Sequence, residues 1–177
     1  PQRTVLSFLP TYSMYPEYAR DTLTAWVTAP RRPDFTLDPD DAARQIRKER
    51  PAVVLLASPN NPTGTALPAE DLVTILEAAR GGGPDGTDAI VVVDEAYGEF
   101  RREGTPSALE LREEHPHLVV CRTMSKAFAM AGLRLGYLAA HKDLVDAIRV
   151  VRLPYHLSAL TQAAARAALS HRESLMA

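Results

Sequence analysis

The stretch Ile90-Val91-Val92-Val93-Asp94-Glu95-Ala96-Tyr97 decides the fold, because an unbroken apolar run here ends in an aspartate. A short run of this kind is typical of a strand buried inside a parallel sheet. A second run, Val53-Val54-Leu55-Leu56, leads into the turn Ser58-Pro59-Asn60-Asn61-Pro62-Thr63-Gly64. In open α/β sheets, ligands bind beyond the carboxyl ends of the strands. Asp94 and Asn61 are therefore candidate binding residues, although an aspartate can also cap a helix and an asparagine can simply form a turn.

Strand and helix patterns alternate along the rest of the chain. Strands are predicted at residues 5–9, 26–28, 118–122 and 135–140, and helices at 16–25, 40–50, 72–79, 107–114, 144–151 and from 161 to 169. The helix at 40–50 is expected to turn Ala43, Ile46 and Arg47 inward or half-inward. In the helix at 144–151, the inner face is expected to consist of Leu144, Val145, Ile148 and Val151. This alternation predicts an α/β fold, a three-layer α/β/α sandwich around a mainly parallel sheet.

A third motif, Arg122-Thr123-Met124-Ser125-Lys126-Ala127-Phe128, places a lysine behind two hydroxyl residues and eight residues before Arg134. Such a lysine can form a Schiff base with the aldehyde of pyridoxal 5'-phosphate (PLP). The Thr123 and Ser125 hydroxyls and the Arg134 guanidinium can then hold the cofactor phosphate. Taken alone, the lysine would be a solvated charge and each hydroxyl a local cap. Together with Asn61 and Asp94, the motif predicts a PLP site centred on Lys126.

Three segments carry a resemblance to known proteins. SPNNPTG (58–64), VDEAYGEF (93–100) and RTMSKAFAMAGLRLGY (122–137) resemble the fold type I PLP-dependent aminotransferases. Within that group, residues 10–15 and 151–158 are most similar to the histidinol-phosphate aminotransferase family. The resemblance runs from Thr4 to Ala168. It also implies that the strand at 135–140 is antiparallel to its neighbours.

The resemblance assigns roles to the remaining candidates. Lys126 would carry PLP and then move a proton during catalysis, which requires a neutral amine favoured by burial and by Arg134. Asp94 would face the pyridine nitrogen. Asn61 and Tyr97 would hydrogen-bond the 3'-oxygen, with turn formation and core packing as their alternatives. Tyr12 would stack on the pyridine ring or else be a core tyrosine.

The resemblance further implies an activity and a domain arrangement. The expected reaction transfers an amino group between L-histidinol phosphate and 2-oxoglutarate in histidine biosynthesis, within a homodimer. The loop at 154–158 would lie near the dimer interface, where Tyr155 or His156 could approach the partner's pocket. We expect residues 1–177 to be a partial PLP-binding large domain without the N-terminal arm and the C-terminal small domain, and to be inactive alone. Alternatives are an aromatic-amino-acid aminotransferase, a non-catalytic PLP-binding module and a fragment with an empty site.

Composition fits a soluble cytoplasmic enzyme and gives no sign of a nucleic-acid or anionic-membrane partner. Hydrophobic residues make up 46% and charged residues 24% of the chain, and the formal net charge is −2. The longest apolar runs fall well short of the ~20 residues of a membrane helix. The single cysteine, Cys121, cannot form an internal disulfide and is expected to be a buried strand thiol, and no Cys/His spacing indicates a metal site.

Overall fold

A single six-stranded sheet forms the centre of the computed structural model, which describes residues 3–155 and 157–176. Its strands are β1 (Thr4–Leu9), β2 (Ala25–Pro30), β3 (Val53–Ala57), β4 (Ile90–Asp94), β5 (Leu118–Thr123) and β6 (Gly136–Ala140). They lie in the order β2-β1-β3-β4-β5-β6. The first five strands pair in parallel, and β6 pairs antiparallel with β5. The predicted mainly parallel sheet and its antiparallel last strand are both confirmed.

Helices cover the two faces of this sheet unequally. They are α1 (Tyr15–Asp21), α2 (Pro39–Glu49), α3 (Ala69–Ala79), α4 (Lys142–Val151), α5 (Ala159–Ser170) and α6 (Arg172–Met176). Because side chains alternate along a strand, one face of the sheet collects Leu6, Phe8, Val54, Leu56, Val91, Val93, Leu118 and Val120, which pack with α2 and α3 in the main core. On the opposite face, α1 places Tyr15 and Tyr18 beside Leu55 and Val92. The chain is thus an α/β/α sandwich with one complete and one thin helical layer.

Local capping interactions determine where helix α2 begins and ends. Asp38 precedes the helix, and its Oδ1 accepts hydrogen bonds from the backbone N–H groups of Asp40 (3.0 Å) and Asp41 (3.1 Å). Pro39 opens the first turn, where its missing N–H costs nothing. Arg50 ends the helix in the left-handed conformation, at φ 45°. The predicted start and end of this helix are therefore correct to within one residue.

Several predicted details are wrong. Helix α1 ends at Asp21 rather than near residue 25, because Leu23 takes a positive φ of 53° and the chain turns directly into β2. Arg47 is exposed, and α2 buries Ala42 beside Ala43 and Ile46 instead. The helix predicted at 107–114 is reduced to a short 3-10 turn, Ala108–Leu111.

The predicted inner face of α4 is only partly covered. Leu144 and Val145 are half-buried, whereas Ile148 is exposed and Val151 is 81% exposed. Tyr155 in the following loop is 98% exposed, and His156 lies outside the described residues. An amphipathic pattern predicts an apolar face that packs against other protein. The described residues leave the carboxyl-terminal end of this face of α4 exposed. Within the same residues, none of the helices combines the length and apolar character that spanning a bilayer requires.

A buried ion pair holds the ends of β4 and β5 together. Glu95, the residue after β4, is 2% exposed. Its carboxylate accepts hydrogen bonds from Arg122 Nε (3.0 Å) and Nη2 (2.6 Å), from Ser107 Oγ and from the Ala108 backbone N–H (2.7 Å). Arg101 adds a longer contact of 3.3 Å. A buried charge of this kind is tolerated because its lone pairs are filled by donors and its charge is matched.

We predict that Glu95→Gln lowers the free energy of unfolding by about 3–5 kcal/mol, because it removes the buried carboxylate charge that lies 2.6 Å from the Arg122 guanidinium and leaves Arg122 only a 3.5 Å ion pair with Glu99. Urea denaturation followed by circular dichroism measures this change. Glu113→Gln is the matched control, since the Glu113 side chain is 79% exposed and pairs with Arg112 at the surface. It should cost at most about 1 kcal/mol. Equal losses in the two variants would contradict the structural role given to Glu95.

Candidate active site

A cavity of about 460 Å³ lies at the carboxyl edge of the sheet, and it collects every residue predicted to form the site. The loops that follow β1, β3, β4 and β5 build its walls. The eight predicted residues among its lining are Tyr12, Asn61, Asp94, Tyr97, Thr123, Ser125, Lys126 and Arg134. Because β1 lies between β2 and β3, the chain order reverses beside this cavity. Such a switch point is where open α/β sheets bind ligands.

Asp94 lies at the inner wall with both carboxylate oxygens engaged. Its Oδ1 accepts a hydrogen bond from the Ala96 backbone N–H (2.9 Å), and its Oδ2 accepts one from the Tyr15 hydroxyl (3.1 Å). No α-helix begins here, so the alternative of a helix cap does not apply. The carboxylate remains half-buried and faces the cavity.

The two asparagines in the turn after β3, Asn60 and Asn61, have different roles. Asn60 is buried, and its Nδ2 donates to the Pro10 carbonyl (3.1 Å) and to Thr63 Oγ1 (2.7 Å), while its Oδ1 accepts from Thr11 (3.2 Å). These bonds hold the turn against the segment after β1. Asn61 instead lines the cavity. Turn formation, which was the alternative role for Asn61, is therefore mainly the role of Asn60.

Lys126 follows β5 in a segment that is anchored by Met124. Met124 is buried, and its backbone bonds to Leu135 (3.1 Å) and Met130 (3.0 Å), so the flanking Thr123 and Ser125 face the cavity. The Lys126 Nζ lies 5.4 Å from the centre of the Tyr97 ring. The lysine is exposed at the mouth of the cavity. The burial expected to favour a neutral amine is therefore not supplied by the described residues.

Thr123 and Arg134 line the cavity, and each also makes a hydrogen bond to the backbone of a nearby residue. Thr123 Oγ1 accepts a hydrogen bond from the Ser125 backbone N–H (3.1 Å), so the local capping role predicted as an alternative is present. Arg134 adopts a left-handed backbone conformation at φ 50°, which is uncommon for a residue other than glycine. Its Nη1 donates to the Ala131 carbonyl (2.9 Å).

Four lining residues with polar side chains were not assigned to the site by sequence reasoning: Tyr15, Tyr18, Cys121 and Arg122. Tyr15 follows Tyr12 by three residues, and a helical start at that point was the signal for it. Cys121 is half-buried and pairs with Asp94 in the β4–β5 register, so strand alignment would have revealed it. Burial and the nearby Asp94 charge raise the pKa of the Cys121 thiol to about 11, which keeps it neutral.

The cavity therefore offers a primary amine, a carboxylate and a guanidinium, with an amide, hydroxyls and aromatic rings between them. This is a donor set for a flat, anionic, carbonyl-bearing ligand. The amine can attack the carbonyl, the guanidinium can bind an anionic group, and the carboxylate can accept a hydrogen bond from a protonated ring nitrogen.

Comparison with known proteins agrees with this geometry. Among curated relatives, the histidinol-phosphate aminotransferase of Bifidobacterium longum is 58% identical over 177 residues, which cover 98% of this chain and 46% of that protein. The enzyme of the same name from Thermobifida fusca is 56% identical, over 99% of this chain and 46% of that protein. The chain thus spans about half the length of the curated relatives it matches.

Solved structures show the same fold. Histidinol-phosphate aminotransferase from Sinorhizobium meliloti, in complex with pyridoxal-5'-phosphate, superposes with a TM-score of 0.86 at 29% identity, covering 98% of this chain and 45% of that one. A double mutant of Thermus thermophilus aspartate aminotransferase gives a TM-score of 0.85 at 28% identity, over 99% of this chain and 45% of that one. The family model for aminotransferases of class I and II matches residues 1–176, and the chain belongs to that family.

Proposed function

We propose that the protein carrying this chain is a PLP-dependent histidinol-phosphate aminotransferase. It would transfer an amino group between L-histidinol phosphate and 2-oxoglutarate. The observation that carries the proposal is the single cavity that unites Lys126, Asp94 and Arg134. The substrate part rests on the curated relatives, which bear this name at 51–59% identity.

The donor set of the cavity fits PLP group by group. We assign Lys126 to the aldehyde carbon, Asp94 to the pyridine nitrogen and Arg134 to the phosphate. The hydroxyls of Thr123 and Ser125 support the phosphate as well. Asn61 and Tyr97 would hydrogen-bond the 3'-oxygen, and Tyr12 would stack on the ring. The charges agree with this orientation, because the carboxylate lies on the inner wall whereas the amine and the Arg134 guanidinium are more exposed.

When bound, PLP supplies the electron sink that stabilises the carbanion formed at the substrate α-carbon. The Asp94 carboxylate keeps the proton on the pyridine nitrogen, which maintains that capacity. The Lys126 amine would act as general base and general acid, taking the proton from the substrate α-carbon and returning it to the cofactor C4'. Tyr12 and Arg134 hold the ring and the phosphate in place, so that the lysine stays within reach of both carbon atoms.

We also propose that residues 1–177 form part of the large domain of a longer enzyme. The support is the apolar surface at the carboxyl-terminal end, where Val150, Val151, Leu153, Tyr155 and Leu160 are all strongly exposed. Large apolar side chains that are exposed so close together in the chain are normally covered by protein. In the full-length enzyme, further domain segments or the second subunit of a homodimer would cover them. The cytoplasm remains the expected location on the ground of the resemblance.

Cofactor binding tests the assignment of Lys126. The full-length protein mixed with PLP should develop the visible absorbance band of a PLP–lysine linkage, and borohydride reduction should fix the pyridoxyl mass on the peptide that contains Lys126. Lys126→Ala should lose both signals and lower kcat by at least about 10²-fold. Lys142→Ala, an exposed lysine paired with Asp146 on α4, should keep them. Retention of the band in Lys126→Ala would refute the assignment.

Substrate profiling tests the reaction. With 2-oxoglutarate as acceptor, L-histidinol phosphate should give the highest kcat/KM, and L-histidinol, which lacks only the phosphate, should be worse by at least about 10²-fold. Tyrosine, phenylalanine and aspartate are the comparison donors. This comparison is needed because the histidinol-phosphate and aspartate enzymes superpose almost equally well on the chain. Better use of the aromatic amino acids would replace the proposed substrate with that of an aromatic-amino-acid aminotransferase.

A further inference from the structure

Tyr15 is a buried tyrosine whose hydroxyl has a specific partner in the cavity. It begins α1, is 3% exposed, and places its hydroxyl oxygen 3.1 Å from Asp94 Oδ2. Its ring meets the Tyr12 ring edge to face, with the centroids 5.6 Å apart and the planes at 86°. A tyrosine that fills a core site only for its bulk would not need this hydroxyl, because a buried polar group costs free energy unless it is bonded.

The direction of this hydrogen bond follows from the environment. Burial, together with the negative charge of Asp94, raises the pKa of Tyr15 far above its usual range. The phenol therefore keeps its proton, and its O–H donates a hydrogen bond to the Asp94 carboxylate. Since the Ala96 N–H binds the other oxygen (2.9 Å), the plane of the Asp94 carboxylate is fixed from two sides.

Other groups near Asp94 do not replace the hydrogen bond that Tyr15 donates to its carboxylate. Cys121 faces it from β5, but its thiol is neutral and a weak donor. Tyr18 lies one turn along α1 from Tyr15 and is exposed. Partial desolvation raises the pKa of Tyr18, and the neighbouring Tyr12 raises it further, so its hydroxyl also stays protonated. Among the described residues, Tyr15 is the one side chain that donates a hydrogen bond to Asp94.

We propose that Tyr15 is a positioning residue for the cofactor. Its hydroxyl would hold Asp94 in the orientation that meets the pyridine nitrogen, and its ring would support Tyr12, which stacks on the same pyridine. The Tyr15 side chain would thereby fix both the contact of Asp94 with the edge of the pyridine ring and the contact of Tyr12 with its face. The inference rests on the proposed function, because it acts through Asp94 and Tyr12 on bound PLP.

The test is Tyr15→Phe in the full-length holoenzyme, which removes only the hydroxyl. PLP dissociation should be measured by fluorescence titration and the ring environment by visible circular dichroism of the bound cofactor. The dissociation constant should rise roughly ten- to a hundredfold, as expected when a hydrogen bond to a charged group is lost. The visible dichroism should change in amplitude. Tyr137→Phe is the matched control, because this half-exposed tyrosine lies on β6 and outside the cavity lining. It should leave the dissociation constant within about twofold of wild type, a change of well under 1.4 kcal/mol.

A double-mutant cycle with Asp94→Asn separates positioning from general packing. If Tyr15 acts through Asp94, adding Tyr15→Phe to Asp94→Asn should weaken PLP binding much less than it does in the wild-type protein. Additive effects, or an unchanged dissociation constant and dichroism in Tyr15→Phe, would overturn the proposal while leaving the proposed function intact. A wild-type protein that binds no PLP would overturn both.

Discussion

The parallel pairing of β4 between β3 and β5 is the constraint on which the rest of the site depends. It places Asp94 opposite Ala57 on one side and Cys121 on the other. Backbone hydrogen bonds continue past the strand end, from Ser58 N–H to the Asp94 carbonyl (3.0 Å) and from Glu95 N–H to the Cys121 carbonyl (2.9 Å). Because parallel strands end at the same edge, the loops that carry Tyr12, Asn61 and Lys126 all open beside this carboxylate.

Two adjacent carboxylates at the end of β4 serve opposite purposes because successive side chains in a strand point to opposite faces. Asp94 faces the cavity and binds the Tyr15 hydroxyl, whereas Glu95 turns away from it and pairs with Arg122. Arg122 in turn lies four residues before Lys126. The buried ion pair thus stiffens the two strand ends from which the carboxylate and the lysine project, and rigid support of this kind is what a precisely aligned site needs.

The uneven covering of the sheet bears on how the site works. The face under α2 and α3 has a closed apolar core, whereas the cavity face is covered chiefly by α1 and leaves Lys126 open to water. Closing an active site strengthens its electrostatic interactions by expelling water. The apolar side chains of Val151 and Tyr155 are exposed as well. Both features agree with our proposal that residues 1–177 are part of a larger domain.

The amino-acid sequence by itself determined the order of the elements and the mainly parallel sheet, because apolar runs and turn residues are local signals. These signals and the lysine motif also indicated six of the lining residues: Asn61, Asp94, Thr123, Ser125, Lys126 and Arg134. Tyr12 and Tyr97 were assigned through the family resemblance. The sequence did not determine which asparagine would hold the turn, since Asn60 and Asn61 are chemically identical and only packing against Pro10 and Thr11 separates them. It also left Tyr15 unrecognised and overstated the burial of Ile148, Val151 and Lys126. Those properties depend on contacts between residues far apart in the chain: the Tyr15–Asp94 bond joins residues 79 positions apart. Local periodicity carries no information about such distances, and tertiary structure alone decided them.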